Sequence, residues 1–281
     1  MTTDATRAGA SPIPNAEGRD LHPHHQKAID HSVARFRADP EVQALLLAGS
    51  IAHGFASPKS DLDVLIVVPD PEHEARLREG RMQYASADGC DWEGGYVDGK
   101  YVSPGFLEQV ARSGSEPARF AFQDARILFS RIPGLERTLA DIPRYPVAEK
   151  ADRICRFHAQ FEAWHWYGHE ALELDDRYLL GMAVARTVLF GGRMLLAHNE
   201  LLYPFHKWFL RVLERAPDRP AGLMDRIAAL HADPCQATLL AFWATVKNFR
   251  AWEGADRPWP AQFMLDSELN WLEGRAPVED L

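Results

Sequence analysis

The sequence predicts an α+β fold in two parts, a small sheet with flanking helices followed by a purely helical bundle. Three observations predict it. Over residues 40–130, short apolar runs typical of strands alternate with helical patterns. After Pro143–Pro146 every apolar pattern recurs at helical spacing. The length of 281 residues and the apolar share of 46% suit one large domain or two ordinary domains.

The domain prediction divides the chain into three ranges. Residues 1–20 are rich in Thr, Ala, Gly, Pro and Asp and are expected to form a disordered or loosely packed tail. Residues 21–144 are expected to form the sheet domain. Residues 145–281 are expected to form the helical domain, because Pro143–Pro146 separates the two patterns.

Apolar periodicity predicts the elements of each domain. In the first we expect three strands, one further strand within Glu93–Ser103, and helices between them; residues 81–87 fit neither pattern. The three strands are Val42–Ala48, Leu62–Val68 and Ala125–Phe129, and the helices are His25–Arg37, Glu72–Glu79, Pro104–Ala111 and Pro133–Asp141. In the second we expect Trp259 and Trp271 to pack against five helices, namely Val147–Ala171, Tyr178–His198, Pro204–Glu214, Ala221–His231 and Pro234–Trp252.

Net charge and cysteine content limit the classes of binding partner and the cellular compartment that the sequence predicts. The net charge of −9 disfavours a nucleic-acid partner, because phosphate backbones need clustered Lys and Arg. The three cysteines form no CxxC pair, so neither a disulfide framework nor a cysteine zinc site is expected. With no signal peptide and no uncharged apolar run of membrane length, a cytoplasmic protein is predicted.

Two carboxylates begin the second predicted strand. Asp61 and Asp63 are two residues apart, so a strand directs both side chains to one face. Paired carboxylates repel unless a cation lies between them, and oxygen ligands of this kind suit Mg²⁺. A calcium loop is excluded because apolar Leu65 and Ile66 follow. A structural role for Asp61 as a loop cap remains an alternative.

The first strand ends in a turn suited to a phosphate. Gly49 allows close backbone approach, and Ser50 offers a hydroxyl and an amide to a phosphate oxygen. No Gly-Lys-Ser/Thr follows, so the turn is not a phosphate loop of the nucleotide-hydrolase kind. Together with the carboxylates, it predicts transfer of a nucleotidyl group from a nucleoside triphosphate.

These residues resemble a known signature. Gly49-Ser50, ten residues and then Asp61-Leu62-Asp63, with Ser60 before the first carboxylate, are similar to the motif of the DNA polymerase β-like nucleotidyltransferase superfamily. The resemblance covers residues 40–130. It implies a mixed sheet, a nucleoside triphosphate such as ATP, two Mg²⁺ ions, and nucleotide contacts from Gly49, Ser50 and Ser60.

Members of this superfamily usually carry a third carboxylate on a later strand. Asp98 is the predicted residue, because it shares a strand face with Tyr96 and Lys100. Asp98-Gly99 is also a strong hairpin dipeptide, and a turn there would carry Asp98 away from the metal. Glu93 and Asp91 are the fallback carboxylates.

The helical part resembles the superfamily's small-molecule branch, which includes the kanamycin and other aminoglycoside nucleotidyltransferases. Its Tyr203-Pro204 and Lys207-Trp208 pairs carry that resemblance, which implies that Lys207 binds a phosphate. A solvated surface lysine is the alternative.

One helix of the second domain carries ionisable groups on a single face. Glu162 lies on it with His158, His165 and His169, and is a candidate general base. An ordinary half-exposed face and a zinc site are the alternatives. The histidines at His22, His24 and His25 are a further weak metal candidate, since a metal site needs fixed ligand geometry.

The predicted function is Mg²⁺-dependent transfer of a nucleoside monophosphate, most simply AMP from ATP, to a hydroxyl of a small molecule or a protein. The alternative is a non-catalytic nucleotide-binding or antitoxin-like module. Intact Asp61 and Asp63 argue against lost catalysis, and antitoxin versions of the fold are usually minimal domains. A nucleic-acid end-adding enzyme is disfavoured by the net charge. The residues determine neither the acceptor nor the oligomeric state.

Overall fold

The computed structural model describes residues 21–274, and the predicted tail of residues 1–20 lies outside them. The chain divides into two compact units between Arg144 and Tyr145. The α+β prediction is confirmed: a mixed sheet lies in the first unit, and within the described residues the second unit is helical.

Residues 21–144, the described part of the first unit, contain six helices and five strands. In chain order these are α1 (Pro23–Ala38), β1 (Ala44–Leu47), α2 (Gly49–Ala52), β2 (Leu62–Val67), α3 (Asp70–Arg78), β3 (Gln83–Ser86), β4 (Val97–Val102), α4 (Pro104–Ser113), α5 (Glu116–Phe120), β5 (Arg126–Ser130) and α6 (Leu135–Asp141). The residues that fitted neither pattern contain β3, and α5 was not predicted.

The sheet order is β3-β4-β2-β1-β5, and only the pair β2–β4 is parallel among the described strands. In that pair Leu62 lies opposite Val97, and Asp63 lies opposite Asp98. Asp98 and Gly99 are therefore inside a strand, and the hairpin-turn alternative is wrong. The long parallel ladder outweighs the local turn preference of Asp-Gly.

Each face of the sheet is covered by helices. Alternate residues of β1 and β2, such as Leu45 and Val64, pack on α1 through Ala28 and Phe36. The intervening residues, such as Leu65, contribute to a second core with α4 and α6, whose members include Leu107, Val110, Leu135 and Leu139. Asp63 belongs to this second face by alternation, at the end where β2 and β4 begin.

The second unit has six described α-helices: α7 (Lys150–Glu173), α8 (Arg177–His198), α9 (Phe209–Glu214), α10 (Leu223–Ala232), α11 (Gln236–Lys247) and α12 (Trp259–Phe263). Its core contains Ile154, Phe161, Met194, Leu195 and Phe242, all fully buried or nearly so. α8 is long and apolar enough to span a membrane, and 50% of its apolar window is buried inside the protein. Core helices of soluble proteins pass the same test.

Three predictions for the second unit differ from the structure. The helix expected from Pro204 begins at Phe209, after a 3-10 turn at His206–Trp208. Phe205 before that turn has φ of +64°, which is incompatible with a continuous helix. Trp271 is 63% exposed and does not pack into the core. The helix expected to reach Trp252 ends at Lys247.

Candidate active site

Three carboxylates meet where β2 and β4 begin. Asp63 and Asp98 are direct neighbours across the parallel ladder, and Asp61 lies two residues before Asp63 on the same face. Asp61, Asp63 and Asp98 each offer one oxygen within 4.8 Å of the others. The strand register therefore brings together the three residues predicted as metal ligands.

Burial and mutual repulsion disfavour having all three carboxylates of this cluster ionised at once. Burial, reinforced by the carboxylates of Asp61 and Asp98, raises the pKa of Asp63 to about 6. Lys100, two residues beyond Asp98 on β4, partly offsets this, and so does a hydrogen bond from the backbone of Ser50. A divalent cation among these oxygens would remove the repulsion.

The turn after β1 lies directly against the carboxylates. Gly49 has φ of +62°, and a Cβ at this residue would lie only 1.8 Å from Oδ2 of Asp63. Ser50 is 5% exposed, and its Oγ is a buried hydroxyl that makes no hydrogen bond within the described part of the chain. The close approach of Gly49 and Asp63 brings the turn against the carboxylate cluster, with Ser50 as the next residue in the chain.

Ser60 acts in the loop before β2. Its Oγ accepts a hydrogen bond from the backbone N–H of Ser57 at 2.9 Å, and its own N–H donates to the carbonyl of Ser57 at 3.0 Å. These contacts close the turn that leads into Asp61. The predicted nucleotide contact of Ser60 stays a prediction.

The fallback carboxylates are not part of the cluster. Asp91 forms an exposed ion pair with Lys27 at 2.8 Å, and the hydrogen bond from Lys27 lowers the pKa of Asp91. Glu93 is exposed in the loop before β4. Neither residue belongs to the three-carboxylate group.

Two of the three histidines at the start of α1 hydrogen-bond to backbone carbonyls, and the metal-ligand group found among the described residues contains none of the three. Nε2 of His24 lies 3.0 Å from the carbonyl oxygen of Pro58, and Nε2 of His25 lies 3.1 Å from that of Ser60. Both carbonyls belong to the loop that precedes Asp61. The sequence shows that His24 and His25 are adjacent, but it does not show that they bind this loop, because the carbonyls they contact lie 34 and 35 residues further along the chain.

The second unit carries the other two predicted site residues. Lys207 is exposed in the 3-10 turn, with its ammonium nitrogen 5.0 Å from the ring centre of Trp208. Glu162 on α7 is 8% exposed and lies 2.9 Å from the ammonium of Lys247. The indole of Trp243 donates a hydrogen bond to it at 3.3 Å.

These contacts weaken Glu162 as a base. Burial alone would raise the pKa of Glu162, but hydrogen bonds with His158 and Lys247 outweigh it, and the pKa is lowered. On the same face, burial and the neighbouring His169 lower the pKa of His165 to about 4. The general-base role of Glu162 stays a prediction, and the structure gives this carboxylate partners that an acceptor hydroxyl would have to displace.

Residues 32–99 match the family model of the nucleotidyltransferase domain. The chain carries a nucleotidyltransferase domain. The matched residues contain the turn at Gly49, the carboxylates Asp61 and Asp63, and Asp98, so the family model covers the whole carboxylate cluster. The predicted resemblance to the DNA polymerase β-like superfamily is confirmed.

Other comparisons add little to this domain assignment. The solved structure of a nucleotidyltransferase-like protein from Exiguobacterium sibiricum 255-15 superposes with a TM-score of 0.46 at 10% identity, over 90% of this chain and 81% of that chain. A likeness this distant carries no argument on substrate or mechanism. No curated protein matches the sequence.

Proposed function

We propose that this nucleotidyltransferase uses Mg²⁺ to transfer a nucleoside monophosphate, most simply AMP from ATP, to a hydroxyl of a small molecule or a protein. The observation that carries the proposal is the pairing of Asp63 with Asp98 across the parallel strands, with Asp61 on the same face. Three carboxylates on neighbouring strands are more than a loop cap or a surface ion pair needs.

The residues of the cluster fit a divalent cation. All three offer carboxylate oxygens, which are the donors that Mg²⁺ prefers. Burial and the neighbouring carboxylates of Asp61 and Asp98 raise the pKa of Asp63, and a cation between the three groups would favour their ionised forms. Asp61, Asp63 and Asp98 would hold the metal, which when bound polarises the phosphate and stabilises the pyrophosphate that leaves.

The chain's own groups then have separate tasks. The acceptor oxygen bonds to the α-phosphorus, the bond from that phosphorus to the bridging oxygen breaks, and pyrophosphate leaves with that oxygen. Ser50 offers its buried, unpartnered hydroxyl to the triphosphate, and Gly49 lets the turn lie directly against Asp63. The acceptor's proton passes to a carboxylate base, for which Asp98 is the candidate in the first unit and Glu162 the candidate in the second.

The second unit is proposed to supply the acceptor side. In the small-molecule branch that the sequence resembles, the helical domain binds the acceptor, and Lys207 is the proposed phosphate ligand. The proposed compartment is the cytoplasm. A nucleic-acid acceptor is disfavoured by the net charge of −9.

Labelled ATP tests the proposal. The protein is incubated with α-labelled ATP and Mg²⁺, alone, with aminoglycosides and with a cell lysate, and both pyrophosphate and labelled product are measured. We expect pyrophosphate release that requires an acceptor. Asp61→Asn and Asp98→Asn should each lower it by about a thousandfold or more, since each removes a metal ligand.

A control variant with the same change in net charge separates the loss of a metal ligand from the loss of a negative charge. Asp88→Asn removes an exposed carboxylate of the same unit and should leave the rate unchanged. Equal activity of Asp61→Asn and Asp88→Asn would overturn the metal assignment. ATP binding without turnover over every acceptor would instead favour the non-catalytic module.

A further inference from the structure

The side chain of Asp61 has a partner on the neighbouring strand. Leu62 lies opposite Val97, so the residues just before them, Asp61 and Tyr96, are neighbours where β2 and β4 begin. The N–H of Leu62 donates to the carbonyl of Tyr96 at 3.0 Å, which extends the ladder to this point. The same register brings the side chains of Tyr96 and Asp61 to one face of the sheet, where interaction with the Asp61 carboxylate raises the pKa of Tyr96.

The main chain just before Asp61 is also held, by a hydrogen bond from a histidine of α1. Nε2 of His25 lies 3.1 Å from the carbonyl oxygen of Ser60, which belongs to the peptide that links Ser60 to Asp61. A carbonyl oxygen only accepts, so Nε2 carries the proton and donates. His25 is 0% exposed, and its ring meets that of Trp92 edge-on, with the ring centres 5.3 Å apart. The imidazole therefore has little freedom to leave this bond.

We propose that Tyr96 and His25 are positioning residues that set Asp61, in side chain and main chain respectively, to bind the divalent cation. The inference rests on the proposed function. Asp61 precedes the first ladder residue of β2 and follows a loop, so β2 alone does not fix it as it fixes Asp63. Mg²⁺ requires near-ideal octahedral geometry, and a ligand that is already oriented loses less freedom on binding.

Direct metal binding tests the role of Tyr96 without relying on turnover. Free Mn²⁺ is counted by electron paramagnetic resonance during a titration of the full chain. Tyr96→Phe should weaken Mn²⁺ binding roughly tenfold, the lower end of the effect seen when partners of metal ligands are removed. Tyr96 is 41% exposed, so its variant should unfold at the wild-type temperature.

Tyr101→Phe is the matched control. It removes a hydroxyl from the opposite face of β4 and keeps the ring that packs 3.8 Å from the guanidinium of Arg76. It should bind Mn²⁺ like the wild type. Equal Mn²⁺ affinity of Tyr96→Phe and Tyr101→Phe would overturn the role of Tyr96.

Two variants test whether His25 positions Asp61 through its hydrogen bond or only supports the folded structure. His25→Gln retains a side-chain N–H that can reach the carbonyl of Ser60, whereas His25→Leu has a similar size and no donor. We expect the Gln variant to restore most of the Mn²⁺ affinity that the Leu variant loses. Equal affinities of both folded variants and the wild type would overturn the role of His25.

Failure of the inference is distinguishable from failure of the proposed function. If the wild type and Asp63→Asn both bind no Mn²⁺, the metal site itself is wrong and the inference fails with it. If the wild type binds Mn²⁺, Asp63→Asn does not, and the Tyr96 and His25 variants bind normally, only the positioning roles fail.

Discussion

Gly49 and Asp63 approach so closely that no side chain fits between them. A Cβ on residue 49 would lie 1.8 Å from a carboxylate oxygen of Asp63, and φ of +62° already favours glycine. The glycine of the signature is thus explained by packing as well as by backbone conformation. The sequence predicts that Gly49 lets the backbone approach a phosphate, and the structure adds the close contact between Gly49 and Asp63.

Gly49→Ala should therefore lower both stability and activity. Gly80 is the matched control, since it has φ of +69° and a Cβ at this residue would meet no atom within 4 Å. Gly80→Ala should cost about 1–2 kcal/mol of unfolding free energy for the left-handed backbone alone. Gly49→Ala should cost about 2 kcal/mol more and displace Asp63. Denaturant unfolding and metal titration measure both effects, and equal costs for the two variants would contradict the close contact.

The raised pKa of Asp63 makes the metal-free protein sensitive to pH. The unfolded chain loses this proton near the ordinary pKa of 3.8, and the folded chain loses it at about 6. Between these values the folded state binds more protons at Asp63, so the contribution of this group to the free energy of unfolding falls as pH rises from about 4 to about 6 and changes no further above that. The gap of about two units corresponds to roughly 3 kcal/mol.

Urea unfolding in a chelator measures this dependence, and Asp63→Asn isolates it from the other titrating groups. The variant should gain stability relative to the wild type as pH rises, by up to about 3 kcal/mol near pH 7. Added Mg²⁺ should restore the stability that the wild type loses as pH rises, and it should have no such effect on Asp63→Asn. A difference between the two proteins that does not change with pH would contradict the raised pKa.

At the scale of elements, one buried arginine joins the ends of three helices. Arg119 in α5 is 6% exposed and donates to the carbonyls of Gly114 at 2.9 Å, Ile142 at 3.0 Å and Ala111 at 3.0 Å. Carbonyls at helix C-termini lack partners within their own helices, and Arg119 supplies them. The guanidinium therefore fastens α4 and α6 beneath the sheet.

Arg119→Met should destabilise the first unit by about 3 kcal/mol, because it leaves several buried carbonyls without donors. Arg112→Met, on the exposed face of α4, is the control and should change stability by less than about 0.5 kcal/mol. Urea unfolding followed by circular dichroism compares the two. Equal midpoints would show that Arg119 is not needed to hold these helix ends.

The sequence predicts the type of a helix or strand where the apolar periodicity is strong. It does not predict the boundary of an element where a single backbone angle determines that boundary. Strands β1 and β2 and helices α1, α7 and α8 follow from apolar spacing. The start of α9 depends on the left-handed backbone of Phe205, which no residue pattern indicates. Asp98 is the clearest case at the site, because only pairing with a strand more than thirty residues away decides between strand and hairpin turn.

At the scale of the molecule, the metal ligands are proposed to come from the first unit and the acceptor site from the second. Composition and pattern change at Pro143–Pro146, and the chain divides after Arg144. The sequence predicts the chemistry of the first unit because two of its ligands, Asp61 and Asp63, lie two residues apart beside the Gly49-Ser50 turn. The acceptor site depends on surface shape in the helical unit, and no motif encodes that shape.

Lys207 tests whether the second unit serves the nucleotide. If Lys207 binds a phosphate, Lys207→Ala should raise KM for ATP about tenfold, since it removes a charged hydrogen bond. Arg226→Ala removes an exposed cation from α10 in the same unit and should leave KM unchanged. Steady-state kinetics compare them, and the same KM in both variants would mark Lys207 as a solvated surface residue.

The central claim is that Asp61, Asp63 and Asp98 hold a metal ion against the triphosphate. A crystal structure with Mn²⁺ and a non-hydrolysable ATP analogue, with anomalous scattering to locate the metal, tests it most directly. We predict an anomalous peak bound by Asp63 and its two neighbours, with the α-phosphate beside it. Mn²⁺ bound elsewhere, with these three carboxylates contacting neither metal nor nucleotide, would contradict it.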